Sequence, residues 1–158
     1  MNYNQASDIL LDLMLEHGLA GHWAIGLNDS RSTAGSCNYT RRVIYLSRFF
    51  IDIESDESTL NTIKHEVAHA LAGPRAGHGQ RWRAIFLELG GDGQTVNYLS
   101  DEARAEFDAR AKWRGVCPVN PEHVVYRNRL SQSVRTSACA KHGGKFSDDL
   151  VLNWERQA

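Results

Sequence analysis

Asp56-Glu57-Ser58-Thr59-Leu60-Asn61-Thr62-Ile63-Lys64-His65-Glu66-Val67-Ala68-His69-Ala70-Leu71-Ala72-Gly73-Pro74 decides how this chain is read. Leu60, Ile63, Val67, Ala70 and Leu71 recur at helical spacing and make one apolar stripe. Ser58 is the expected N-cap, and Asp56 and Glu57 suit the positive end of the helix dipole. Gly73-Pro74 ends the helix. His65 and His69 then lie one turn apart, opposite the stripe, where two imidazoles can converge on one ion. Glu66 sits beside them rather than between them, a place suited to a carboxylate that handles water and does not ligate. Chance gives an H-E-x-x-H match about 0.02 times in a chain of this composition, so the pattern carries weight.

A catalytic zinc takes three protein ligands and keeps a fourth position open. Ala72 and Arg75 stand where the metzincin pattern needs Gly and His, which excludes that arrangement. Two candidates for the third ligand remain. Glu88 has a gluzincin-like separation from His69 but reads equally as a solvated helix residue. His78 is favoured, because Gly77 and Gly79 on either side let the backbone approach closely. His17 and His22 read as ordinary imidazoles. Neutral histidines leave zinc its charge to acidify water and polarise a carbonyl. Glu66 is then expected to take the water's proton and return it to the leaving amine. For a helper at the developing oxyanion only Arg75 and Tyr45 offer themselves.

Outward from this helix the periods change. Ile9, Leu10, Leu13 and Met14 predict a helix over residues 5–17, stopped by Gly18. Residues 22–27, 34–38 and 42–47 read as short strands, the last built on Val43, Ile44, Tyr45 and Leu46. Trp82, Ile85, Phe86 and Leu89 share one face of a helix over residues 80–89. Ser100 caps another that runs to about Trp113. Beyond Cys117 the helical period is lost, and residues 124–126 and 133–137 read as strands of a small β unit.

The chain has 158 residues, 42% hydrophobic and 23% charged, with net charge −1, so it is globular rather than disordered. No apolar run approaches the length of a membrane span, and no basic segment precedes the first apolar stretch. A cytoplasmic protein without a leader is expected. Three cysteines cannot all pair, and together with seven histidines they pose a metal question instead. The charge is unevenly spread. Residues 1–112 hold 11 Lys/Arg against 15 Asp/Glu, and residues 113–158 hold 7 against 4. Arg127, Arg129, Arg135, Lys141 and Lys145 make the tail a candidate phosphate-contacting surface, although a solvated face explains charge alone equally well.

The same tail carries Cys117, His123, Cys139 and His142. Cys139-x-x-His142 followed by glycine makes a good metal knuckle, and Cys117-x₅-His123 a looser one. Four ligands with no free position describe a closed, structural zinc site. A β unit this small has too little core to fold alone, and metal would supply the deficit. A Cys117–Cys139 disulfide or two inert thiols is the competing reading. Cys37 reads as a small buried hydrophobe.

Taken in order, His65-Glu66-Val67-Ala68-His69-Ala70, Gly77-His78-Gly79, Trp82, Cys117-Pro118, His123, Tyr126-Arg127-Asn128-Arg129, Cys139-x-x-His142 and the closing residues 146–154 resemble the SprT-like family. Trp23, Gly35-Ser36-Cys37 and Val43-Ile44-Tyr45-Leu46-Ser47 fit as well, so the likeness spans about residues 6–154. It implies an α+β fold: a zincin-like metalloprotease core of helices and a three-stranded sheet over residues 1–114, then a zinc-ribbon unit over 115–158. It implies a zinc endopeptidase with His65, His69 and His78 on the catalytic zinc and Glu66 as general acid and base. It implies a monomer stimulated by single-stranded or junction-like DNA and cleaving DNA-bound or crosslinked proteins. The first knuckle departs from the family, with Asn120 where a Cys commonly stands, so His123 must substitute. The alternative function is a non-catalytic, zinc-stabilised module that binds DNA or protein on a zincin scaffold.

Overall fold

The computed structural model describes residues 1–95 and 99–157. They fall into two compact units, Met1–Ala103 and Arg104–Ala158. The division comes earlier than the expected 114/115 break. Gln157 explains this, because its side-chain amide donates to the carbonyls of Asp108 and Ala111 and its N–H donates to that of Lys112.

In the first unit the long helix α3 spans Asp56–Ala72, and its cap is Ser55 rather than Ser58. The Ser55 hydroxyl accepts from the Ser58 N–H at 3.1 Å, which leaves Asp56 and Glu57 in the first turn. Upstream lie α1 (Tyr3–Glu16), the strands β1 (Ala24–Asn28), β2 (Gly35–Asn38) and β3 (Val43–Ser47), and the short helix α2 (Arg48–Ile53). An Asn2–Gln5 capping box starts α1. The helix α2 was not legible in the sequence. The Ser47 hydroxyl caps it, and Phe49, Phe50 and Ile51 are buried, an apolar run too short to show a period.

The sheet order is β1-β3-β2, with β1 parallel and β2 antiparallel to β3. Ile44 and Leu46 of β3 point into one core with Ala6, Leu10 and Met14 of α1 and Ile63 and Val67 of α3. Tyr45 alternates to the other face, where its ring lies against Gly26. That removes it from the oxyanion role considered above. A second cluster joins Ala68 and Ala72 of α3 to Trp82 and Phe86 of α4 (Gln80–Glu88). Thus α3 is buried along two sides, not one stripe, and half-buried Leu60 lies outside both clusters. Among the described residues no helix is long and apolar enough to cross a membrane.

The helix α5 covers Asp101–Ala109, and the Ser100 hydroxyl accepts from the Ala103 N–H at 3.1 Å. It stops short of Trp113, which instead opens β4 (Trp113–Val116). The second unit is an antiparallel sheet in the order β5-β4-β6, with β5 at Val124–Arg127 and β6 at Asn153–Arg156. The expected strand at 133–137 is a single helical turn, α6 (Gln132–Arg135), because the Ser131 hydroxyl caps it at the Val134 N–H. The core of this unit is only Cys117, Cys139 and Leu152, with Val125 and Trp154 packed against them.

Phe86 is fully buried beneath Trp82, with ring centroids 5.0 Å apart. Phe86→Ala should therefore destabilise the first unit by about 3–5 kcal/mol, read as a lower urea midpoint.

Candidate metal centres

The α3 helix ends at Gly73, which takes a φ of 88°, and the chain then turns back on itself. The Ala76 N–H donates to the Gly73 carbonyl at 3.1 Å and the Gly79 N–H to the Ala76 carbonyl at 2.9 Å. Gly77, at a φ of 49°, supplies the remaining left-handed residue. This turn carries His78 back to the helix it has just left. The three Nε2 atoms of His65, His69 and His78 lie 3.2, 3.0 and 3.1 Å apart. Tetrahedral coordination at zinc–nitrogen distances near 2.05 Å needs nitrogens about 3.3 Å apart, so the donors fit by type and spacing. Glu88 is exposed on α4 and outside this group. Arg75 is exposed on the turn.

The triad rests on aromatic side chains. Trp82 lies 4.7 Å from the His65 ring and 4.6 Å from the His78 ring, and stacks on His69 at 5.4 Å. Its indole N–H donates to the His65 carbonyl at 3.3 Å. From the other side the Tyr39 hydroxyl donates to the His69 carbonyl at 3.1 Å. The backbone of each helical histidine is thus held by an aromatic donor from another element. Sequence reasoning missed Tyr39. Only its period-two relation to Gly35 and Cys37 on β2 hinted at a shared face.

Electrostatics favour neutral imidazoles here. Burial, with the neighbouring His69 and His78, lowers His65 to about 4. Burial and His78 lower His69 to about 4. Glu66 is 7% exposed, and burial raises its carboxyl to about 7. A Cβ on Gly35 would sit 2.7 Å from Glu66 Cγ and 3.0 Å from its Oε1, so only glycine leaves room for this carboxyl. Cys37 is half-buried rather than fully buried, and burial and the nearby Glu66 push its thiol up to about 12.

The tail gathers a second set. Cys117 follows β4 and His123 precedes β5, so one hairpin brings both to the same place. The Cys139 N–H donates to the Leu150 carbonyl at 2.8 Å, and His142 follows one turn later. Cys117 Sγ lies 3.3 Å from His142 Nε2, His123 Nδ1 3.3 Å from the same atom, and Cys139 Sγ 3.7 Å from His123 Nδ1. All four donor atoms fall within 4.8 Å of one another, a set of two thiols and two imidazoles suited to zinc. Both thiols are free, so the disulfide alternative fails. Burial of Cys117 works against its ionisation, but the N–H groups of Asn120 and Val119 outweigh it and bring the thiol down to about 7. Asn120, which the sequence marked only as a departure, touches His123 Nε2 through its Nδ2 at 3.2 Å.

The five tail cations do not form one patch. Arg127 pairs with Trp113 across the sheet, and the Arg135 guanidinium lies 5.8 Å from the Trp113 ring, so these two share the end far from the knuckles. Arg129 is exposed just beyond β5. Lys141 lies between Cys139 and His142, and Lys145 just after them, both exposed.

The solved structure of the metallopeptidase zymogen jannalysin from Methanocaldococcus jannaschii is similar at 16% identity. The match covers 65% of this chain and 88% of that one, with a TM-score of 0.46. No curated protein matches the sequence. The SprT-like family model matches residues 8–114, a stretch that holds α3, the histidine turn and α4. The chain belongs to the SprT-like family.

Proposed function

We propose that the chain is a zinc-dependent endopeptidase acting on proteins bound or crosslinked to DNA. The observation that carries the peptidase reading is the convergence of three Nε2 atoms within 3.2 Å beside a buried carboxyl on the same helix. His65, His69 and His78 would hold the catalytic ion, and Cys117, His123, Cys139 and His142 a structural one. Zinc at the triad would supply Lewis-acid polarisation of a scissile carbonyl and acidification of water.

The chain's own groups supply the rest. Glu66, raised to about 7, is poised to accept a proton from water and hand it to the leaving amine near neutral pH. Gly35 leaves the space that this carboxyl occupies. The strand β2 pairs with β3 on one side only, so its other edge is open to an extended peptide beside Glu66. Trp82 and Tyr39 keep the two helical ligands in register. The DNA association rests on Arg127, Arg129 and Arg135 at one end of the tail sheet and Lys141 and Lys145 at the other.

Purified Glu66→Gln should lose at least about 100-fold in cleavage of a DNA-bound protein while keeping its metal. Equal cleavage by wild type and variant would leave the non-catalytic binding module as the better reading.

Metal-stripped protein offers a second check. The raised Glu66 carboxyl stabilises the fold below about pH 4.5, and this contribution is lost as pH rises through 7. His65 and His69 act oppositely, losing stability as pH falls from 6.5 towards 4, but both proteins share them. Glu66→Gln should therefore gain stability over wild type with rising pH, by about 3 kcal/mol between pH 4.5 and pH 8 in thermal or urea unfolding.

For the DNA reading, wild-type affinity should fall steeply with salt, and Arg127→Ala with Arg129→Ala should flatten that slope by roughly 1–2 without changing zinc content. A flat wild-type response would end that part of the proposal.

A further inference from the structure

The tail site contains a contradiction between hydrogen bonding and ligation. The Glu122 N–H donates to Asn120 Oδ1 at 3.0 Å. That places the amide's other atom, Nδ2, against His123 Nε2 at 3.2 Å. An amide nitrogen can only donate, so Nε2 must accept. A neutral imidazole carries one proton, which must then sit on Nδ1. Yet Nδ1 is the atom that faces Cys139 Sγ and His142 Nε2 inside the cluster. The nitrogen that would ligate presents a hydrogen where a metal needs a lone pair.

We propose that Asn120 is the switch of the tail metal site. Without metal it holds His123 in the tautomer that cannot ligate. Metal entry turns the amide over, so that Oδ1 accepts from Nε2–H. His123 loses the proton on Nδ1 and takes one from solvent on Nε2, with no net change on the ring. The Glu122 N–H gives up its partner, and because Glu122 is exposed, water replaces it. The turn keeps the two residues together throughout, since the His123 N–H donates to the Asn120 carbonyl at 3.0 Å.

This inference is independent of peptidase activity and rests on the tail binding a divalent metal. An aspartate at this position has two acceptor oxygens. It can take the Glu122 N–H and the His123 Nε2–H at once, with nothing to turn over. The test titrates reduced, metal-free full-length protein with Co²⁺. Thiolate-to-cobalt absorption reports the tail alone, because the body offers only imidazoles.

Asn120→Asp should bind cobalt in the tail roughly 10-fold more tightly than wild type. In parallel, ¹⁵N-resolved NMR of metal-free wild type should show the His123 proton on Nδ1, and of Asn120→Asp on Nε2. If wild type shows thiolate absorption but the aspartate variant binds no tighter, or if metal-free wild type already carries its proton on Nε2, the switch is overturned. If neither protein gives thiolate absorption, the tail metal site itself is refuted, and the switch with it. The wild-type tautomer decides the matter even where the variant folds poorly. A charge effect of the aspartate alone would raise affinity without placing the wild-type proton on Nδ1.

Discussion

Three imidazole nitrogens held within 3.2 Å of one another cannot all be cationic. Everything around them makes neutrality the natural state. Trp82 and Phe86 exclude water from below, and α3 is packed along two sides. The cost is a crowd of nitrogen lone pairs and N–H groups with no ordinary partner inside the cluster, which an ion would relieve. The buried Glu66 is part of the same economy, because its neutral form is favoured where a charge would otherwise lie unpaired.

Much of this was readable in advance because it is local. The helix, its stop at Gly73-Pro74 and the side-by-side placement of His65 and His69 follow from a period of 3.6 residues. Choosing His78 over Glu88 needed only the flanking glycines. What escaped was non-local. The second buried side of α3 depends on where α4 returns. Tyr39 reaches His69 from a strand thirty residues upstream. Tyr45 was misjudged because the strand's alternation relative to the core could not be fixed from one strand alone. The cap moved from Ser58 to Ser55 because both residues satisfy the same pattern and only the fold chooses.

The tail was less legible for a different reason. Its strands are four residues long, and its core holds just three buried residues, two of them thiols. With so little apolar pattern, the 133–137 segment could pass for strand until Ser131 is seen capping a helical turn. The ligands were found by spacing, but the partner of His123 left no signal, since an asparagine in a turn is ordinary chemistry.

The two sites also differ in how much chain each must organise. Everything at the first, from His65 to its floor at Trp82, comes from one helix, one turn and the start of the next helix. Closing such short loops costs little entropy, so this centre can assemble early, before the sheet has paired. The second joins residues as far apart as Cys117 and His142, and needs β4 and β5 in register before its donors meet. In folding order, the body's site can act as a nucleus, while the tail's is a clasp that fastens last.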